Sequence, residues 1–226
     1  MKTVLVTGGA KRLGAAISRR LARSGWKVVI HYRGSASEAE ALAGEISALT
    51  IAADLVDAAA AEALPARASA LLAGPLDAVV NSASVFEYNT AATFAAEDFD
   101  RDIAVNLRAP AMIARAFAKS LSAGRSGAVV NLLDQKLWNL NADFFSYTIS
   151  KIGLEGATRL LARALALSVR VNGVAPGLTL PNQWQTDEEF KSVAAAHNIL
   201  KRPIDVGAIA GAVAFLLEND AITGQT

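Results

Sequence analysis

The sequence predicts an α/β fold: a single domain with a doubly wound parallel sheet and helices on both of its faces. Three observations predict it. Short aliphatic runs alternate with amphipathic, alanine-rich segments from the first residue onward, as in a succession of right-handed βαβ units. The aliphatic runs are apolar at consecutive positions, which suits strands covered on both faces. A glycine-containing loop stands at the first strand-to-helix junction. A chain of 226 residues is long enough for one domain with a sizeable core and needs no internal boundary.

Taken in order, the strand candidates are residues 4–6 (VLV), 28–32 (VVIHY), 49–53, 78–81, 128–133 and 169–174. Between them, helical patterns cover 13–24, 37–47, 57–72, 98–121, 144–166 and 205–217. Alanine richness over 58–73 is a helix-forming bias, not a linker. No repeat or heptad pattern interrupts this order.

Composition narrows the function. Lys plus Arg number 22 and Asp plus Glu 21, a balance that offers no basic footprint for nucleic acid and no polybasic membrane anchor. Small-molecule partners are expected. There is no cysteine, and the two histidines, His31 and His197, are too far apart in sequence to suggest a metal cluster, so no catalytic metal is expected. The apolar start VLVTGG is too short for a signal-peptide core and AIAGAVAFLL is too short to span a bilayer, which makes a cytoplasmic location the expectation.

The first junction reads TGGAKRLG over 7–14. Glycine there lets the backbone turn and approach a ligand, and the helix that follows directs unpaired N–H groups at a phosphate. The same loop also serves as an ordinary turn in many proteins. Arg12 either adds its guanidinium to a diphosphate, reaches the substrate, or is solvated. After the second strand comes HYRGS, with no carboxylate before Glu38. An acidic residue in that place holds the ribose 2′-hydroxyl of NAD, whereas His31, Arg33 and Ser35 offer donors for the 2′-phosphate of NADP. Asp54 and Asn81, at the carboxyl ends of the third and fourth strands, are candidates for contacts with the adenine and the cofactor backbone. Phe86 either stacks on a flat ring or fills the core.

The fifth strand ends in NLLDQK, so Asp134 emerges at the ligand edge, thirteen residues before Tyr147. Its carboxyl group suits a substrate with N–H groups better than a plain ketone. Pro176 and Gly177 open a loop over 178–198 that carries Trp184 and a DEEF helix start, read either as a lid or as a surface excursion. The stretch SYTISKIGLEG, 146–156, sets Tyr147 and Lys151 four apart on one helix face. A cation fixed beside a phenol lowers its pKa from roughly 10 and prepares it for acid and base work.

Together TGGAKRLG, Asp54, NSAS, Asn106 in AVNL, YTISK and VNGVAPG resemble the short-chain dehydrogenase/reductase family over essentially the whole chain. The resemblance implies a Rossmann-like fold with NADP held by Gly8, Lys11, Arg12, Leu13, Gly14, His31, Tyr32, Arg33, Ser35, Asp54 and Leu55. On the far side of the cleft it implies Asn81, Ala83, Ser84, Tyr147, Lys151, Pro176, Gly177 and Leu178. Tyr147 would donate the proton, Lys151 would hold the nicotinamide ribose and Asn106 would support a water chain. Within the family the chain is most similar to pteridine reductases and to dihydromonapterin and dihydrofolate reductases of the short-chain type. By that likeness Arg12, Ser84, Phe86, Asp134 and Tyr147 line the pterin pocket, with the ring between Phe86 and the nicotinamide. Asp134, Tyr147, Lys151 and Asn106 form the catalytic set. Two departures stand out: the cofactor-phosphate arginine expected after HY is shifted, giving Arg33 and then Gly34, and the chain stops at ITGQT, so the usual last strand and tail are expected to be missing. A homotetramer is expected, both from the family and from the alanines and leucines around helices 98–121 and 144–166. The reaction implied is NADPH-dependent reduction of a dihydropterin or dihydrofolate. The alternatives are a carbonyl reductase of the same family and a nucleotide-binding regulator without turnover.

Overall fold

The computed structural model describes residues 1–182 and 185–226. Six strands, β1 (Thr3–Thr7), β2 (Lys27–Tyr32), β3 (Leu49–Ala52), β4 (Ala78–Asn81), β5 (Gly127–Leu132) and β6 (Val169–Val174), form one parallel sheet in the order β3-β2-β1-β4-β5-β6. The order reverses between β1 and β4, which opens a crevice at the carboxyl ends of these two strands. Thr7 pairs with Asn81 in register there.

Alternation along each strand distributes the apolar side chains to two cores. Val4, Val6, Val28, Ile30, Val80 and Val130 pack with α1 (Arg12–Arg23), α2 (Ala36–Ile46) and α8 (Val206–Glu218) on one face. Leu5, Val29, Val79, Val129 and Val171 pack with α3 (Ala58–Leu72) and α5 (Ala109–Ser120) on the other. Fully burying such a side chain contributes about 1.5–3 kcal/mol, so the central strands hold the fold. Gly127 begins β5 because the ring of Phe117 lies where a side chain would go: a Cβ there would be 2.4 Å from Phe117 Cζ. Some helix starts are marked by side-chain caps, as at Asp57, whose Oδ1 accepts from the Ala59 N–H at 2.8 Å; such a cap stabilises by about 1 kcal/mol.

The single helix predicted over 98–121 is divided. It consists of α4 (Ala96–Ile103), a π-helical turn over Ala104–Arg108, and α5. Pro110 has no N–H to return to the carbonyl of Asn106, and the Ala109 N–H reaches back five residues to Ala104 O. Helix α6 (Phe145–Ala164) runs beside this turn, and α7 (Asp187–His197) lies in the predicted lid, started by a capping box between Thr186 and Glu189. After α8, Gly224 N–H donates to Val171 O and Gly173 N–H to Gln225 O, so residues near 224 run along the outer edge of β6. Among the described residues no helix is long and apolar enough to cross a membrane.

Candidate active site

The chain leaves β1 through Gly8, whose φ of +61° is a left-handed conformation that costs glycine little. Close packing demands glycine as well. A Cβ on Gly8 would stand 2.8 Å from Ala83 Cα, and one on Gly14 only 2.1 Å from the Gly8 carbonyl oxygen. Thr7 Oγ1 accepts from the N–H groups of Ser82 and Ala83, each at 3.1 Å, tying the loops after β1 and β4 together. Lys11, which precedes α1, makes no side-chain cap, so the positive end of the helix offers unpaired donors to an anion.

A cavity of ≈ 420 Å³ extends from Gly8 and Lys11 past Tyr32, Arg33 and Ser35 to Asp54, Leu55, Ala83 and Ser84. Arg33 is exposed at its margin. Glu38 pairs with Lys11 at 2.5 Å and does not line the cavity. The donor set thus suits a dinucleotide with a phosphate on its ribose: free helix N–H groups at one end and a guanidinium and a hydroxyl at the other, while the carboxylate in the lining, Asp54, accepts from the Val56 N–H at 3.0 Å.

His31 corrects one expectation. It lines this cavity, but both ring nitrogens are engaged below it: Nδ1 accepts from the Gly8 N–H at 3.1 Å, and Nε2 meets the Ala53 carbonyl at 3.1 Å. Burial pushes its pKa from 6.5 down to about 4, against the pull of the Ala53 carbonyl. His31 is therefore a neutral strut under the glycine loop, not a donor to a 2′-phosphate.

A second cavity, ≈ 580 Å³, continues from Arg12, Leu13 and Gly14 past Ser84 and Phe86 to Asp134, Tyr147, Lys151, Pro176, Gly177 and Leu178. Helix α6 brings Tyr147 and Lys151 to one face, and Asp134 reaches them from the end of β5. The Tyr147 hydroxyl donates to Asp134 Oδ2 at 2.8 Å, while Asp134 Oδ1 accepts from the Lys136 N–H at 2.8 Å. Lys151 Nζ donates to Leu132 O at 2.8 Å and lies 5.6 Å from the centroid of the Tyr147 ring. Burial, the charge of Asp134 and the bond to it push the Tyr147 phenol well above its usual 10.0. This reverses the expectation that Lys151 lowers that pKa, because the ammonium is turned to a carbonyl while a carboxylate accepts from the phenol. Tyr147 is held protonated. Burial also brings Lys151 down from 10.5 to about 8, a fall that the charges of Asp134 and Asp102 oppose.

Two predicted residues line neither cavity. Asn81 is buried at the end of β4, where its Nδ2 donates to Asn131 Oδ1 at 2.8 Å. It links β4 to β5 instead of facing a cofactor. Asn106, in the π-helical turn, is fully buried: its Oδ1 accepts from Ser84 Oγ and the Val85 N–H, and its Nδ2 donates to Val85 O and Ser150 Oγ. These bonds make it a brace between the loop after β4 and α6, with its amide already committed.

The sequence missed the aromatic wall. Phe144 stacks on Phe86 with centroids 4.1 Å apart, and Tyr147 meets Phe86 edge-on at 4.7 Å. Phe144 adopts φ 54° at the head of α6, an uncommon conformation for an aromatic residue and one that nothing in the sequence signals. Leu178, Thr179 and Leu180 with Phe190 of α7 close the cavity from the lid, and Arg12 Nη2 donates to Pro181 O at 2.8 Å across its mouth. Trp184 lies outside the described residues.

The family model for short chain dehydrogenases matches residues 2–191. A solved structure titled FolM Alternative dihydrofolate reductase 1 from Brucella canis, complexed with NADP, is 40% identical with a TM-score of 0.94, over 99% of this chain and 90% of that one. A short chain dehydrogenase from Burkholderia cenocepacia in complex with NADP is 31% identical, TM-score 0.92, over 99% and 94%. Among curated relatives, the 3-oxoacyl-[acyl-carrier-protein] reductase FabG of Staphylococcus aureus is 32% identical over 100% of this chain and 95% of its own length. With the glycine loop, the cleft at the sheet's reversal and the Tyr147–Lys151 pair in place, the chain belongs to the short chain dehydrogenase family.

Proposed function

We propose that this enzyme reduces a dihydropterin or dihydrofolate to its tetrahydro form with NADPH. It is an NADP-dependent oxidoreductase, as its family and its NADP-bound structural relatives show. The observation that carries the substrate reading is the Tyr147–Asp134 hydrogen bond inside the second cavity. NADPH, when bound, supplies the hydride, which adds to the carbon of a ring C=N. The ring nitrogen then needs a proton. Tyr147 keeps a proton on its oxygen one hydrogen bond from the Asp134 carboxylate, so the pair can deliver it. The same carboxylate accepts from the N–H groups that a pterin carries and a ketone lacks.

In the cofactor cavity, Arg33 and Ser35 would hold the 2′-phosphate and the start of α1 the diphosphate. Lys151 would hold the nicotinamide ribose with the donors that Leu132 leaves over. The 40% identity to a protein titled a dihydrofolate reductase supports this reading. Relatives titled 3-oxoacyl reductases favour a ketone instead. In the protein itself, however, the phenol that would polarise a ketone already donates to Asp134. The test is NADPH oxidation with dihydrobiopterin, dihydrofolate and an acetoacetyl thioester. Turnover of a dihydro-ring substrate is expected, and turnover of the thioester alone would overturn the proposal. We also propose self-association through α6, where Ile152 and Leu160 are exposed; a monomeric mass by light scattering at micromolar concentration would contradict it.

A further inference from the structure

A carboxylate with no place in the scheme above lies buried behind the reaction centre. Asp102, on α4, is 1% exposed, and no burial of that kind is stable without hydrogen bonds. The spacing of its neighbours shows what it is built into. Asp102, near the end of α4, and Asn106, in the π-helical turn that follows it, are four apart, Ser146 and Ser150 are four apart on α6, and each member of the serine pair immediately precedes Tyr147 or Lys151. One residue corresponds to 100° around a helix, so the two serines form a stripe directly beside the reacting one.

The stripes are joined bond by bond. Ser146 Oγ donates to Asp102 Oδ2, and Asn106 Nδ2 donates to Ser150 Oγ at 3.0 Å and to Asp102 Oδ1 at 3.5 Å. Ser150 Oγ in turn donates to the carbonyl of Tyr147 at 2.6 Å. Asn89, from the loop after β4, completes the arrangement: its Nδ2 donates to Ser146 Oγ at 2.7 Å and its Oδ1 accepts from the Ser146 N–H at 3.1 Å. The Asn89 carbonyl accepts from the Phe145 N–H at 3.1 Å. Phe144, at the N-cap position, makes no side-chain cap bond, so α6 takes its cap from Asn89 and an acidic neighbour from Asp102. An acidic group stabilises that end of a helix.

We infer that Asp102 is a positioning residue of the reaction: through Ser146 it fixes the first turn of α6, and it keeps a negative charge behind Tyr147 and Lys151. The inference rests on reading those two residues as the reacting pair. An apolar side chain would fill the same space without the bonds, so packing alone does not call for a carboxylate. Its charge has a defined effect. After burial and Asp134, Asp102 also holds the phenol up, and it opposes the fall of Lys151. The groups facing the pair are Asp134 from the end of β5, Asp102 from α4, and each other. Asp102 itself faces Arg101 and Asp98 on α4, Glu87 from the loop after β4 and Ser146 on α6; burial raises its own pKa and the Ser146 bond lowers it.

The deciding experiment compares Asp102→Asn and Ser146→Ala in the full chain with NADPH. Asparagine keeps an acceptor for the Ser146 hydroxyl and loses the charge, together with the long 3.5 Å bond from Asn106 Nδ2. Its kcat should fall about tenfold, and the alkaline limb of its pH profile should move down, with the NADPH Kd within about twofold of wild type. The 13Cε resonance of Lys151, assigned with Lys151→Arg, should titrate below its wild-type midpoint of about 8. Ser146→Ala keeps the charge, so kcat should fall while both midpoints stay in place. Unmoved midpoints in a folded Asp102→Asn would overturn the inference. So would wild-type kcat in Ser146→Ala, which decides the matter if Asp102→Asn does not fold. Tyr147→Phe tests the underlying reading separately: if it turned over normally, that reading would fail, while the Lys151 titration would still report the charge of Asp102 without any turnover.

Discussion

The two ends of the cleft are made differently, and the difference decides how each answers to mutation. The cofactor end is shaped by backbone: Gly8 packs on Ala83, Gly14 on the Gly8 carbonyl, and His31 supports the loop from below. The reaction end is shaped by side chains drawn from four separated segments, Phe86 after β4, Asp134 after β5, Tyr147 on α6 and Phe190 on the lid. Backbone surfaces tolerate almost no added atoms but accept any cofactor of the right shape. Side-chain surfaces can be re-sized by substitution, and this is the end where relatives sharing one fold can diverge in substrate.

The largest separation between the two ends is expected from Asp134→Asn. Asparagine preserves the size of the group and most of its hydrogen bonding, but cannot carry a proton. If Asp134 takes part in proton delivery, kcat should fall by about 100- to 10,000-fold, while NADPH should bind as before. Stopped-flow turnover beside fluorescence titration of NADPH measures both. Near-normal turnover on every dihydropterin tried would reduce Asp134 to a structural acceptor.

His31 gives the next largest effect, this time on stability. Its pKa in the fold, about 4, lies below the ordinary 6.5, so the unfolded chain gains a proton that the fold refuses. The stabilisation is complete above pH 6.5 and is lost as pH falls through about 4, a difference of about 3 kcal/mol. His31→Gln can still accept from Gly8 and donate to Ala53, and has nothing to titrate. Urea unfolding at pH 7, 5.5 and 4 should show a larger acid-side loss in wild type than in the variant, which keeps only the loss from carboxylates such as Glu38 and Glu45. The same slope in both would mean that another group is responsible.

These two residues also show where the sequence was readable. All six strands were: those at the centre because strands covered on both faces are nearly continuously apolar, and the edge strands β3 and β6, LTIA and VRVNGV, by their place in the alternation with helices. The helix over 98–121 was seen but not its break, since Pro110 acts on a carbonyl four residues back and periodicity does not record that. Tyr147, Lys151 and Asp134 could be placed by spacing and strand ends alone. What spacing cannot give is the partner each polar atom finds: His31 turns under the loop, Asn81 crosses to β5, and Lys151 bonds to Leu132 instead of supporting a phenolate. Phe144 went unnoticed because its role depends on a left-handed backbone angle, while the four-residue spacing of Asp102 to Asn106 and of Ser146 to Ser150 was there to be read.

Gly14→Ala tests the claim that the cofactor end is backbone. The new methyl would meet the Gly8 carbonyl at 2.1 Å, and forcing one carbon into a packed site costs about 1–3 kcal/mol. The NADPH Kd should rise about 5- to 150-fold. An unchanged Kd in a folded variant would show that the loop can shift, and the contrast drawn between the two ends would lose its basis.

The smallest expected effect is the most selective. Arg33 is the one guanidinium in the lining of the cofactor cavity, it is exposed, and the first acidic residue beyond it, Glu38, is held by Lys11 outside that lining. A charge-assisted bond from Arg33 to the 2′-phosphate should contribute on the order of 1.5–3 kcal/mol, so Arg33→Ala should weaken NADPH by at least about tenfold. NADH has no such phosphate, and its Kd should stay within about twofold. Because the substitution deletes a side chain at a solvent margin, it should leave unfolding free energy unchanged to within about 0.5 kcal/mol. A loss shared equally by both dinucleotides would mean that Arg33 acts on the loop and not on the phosphate. The preference for NADPH would then have to come from Ser35 and the start of α1, and the guanidinium assigned to the cofactor end would be part of its scaffold.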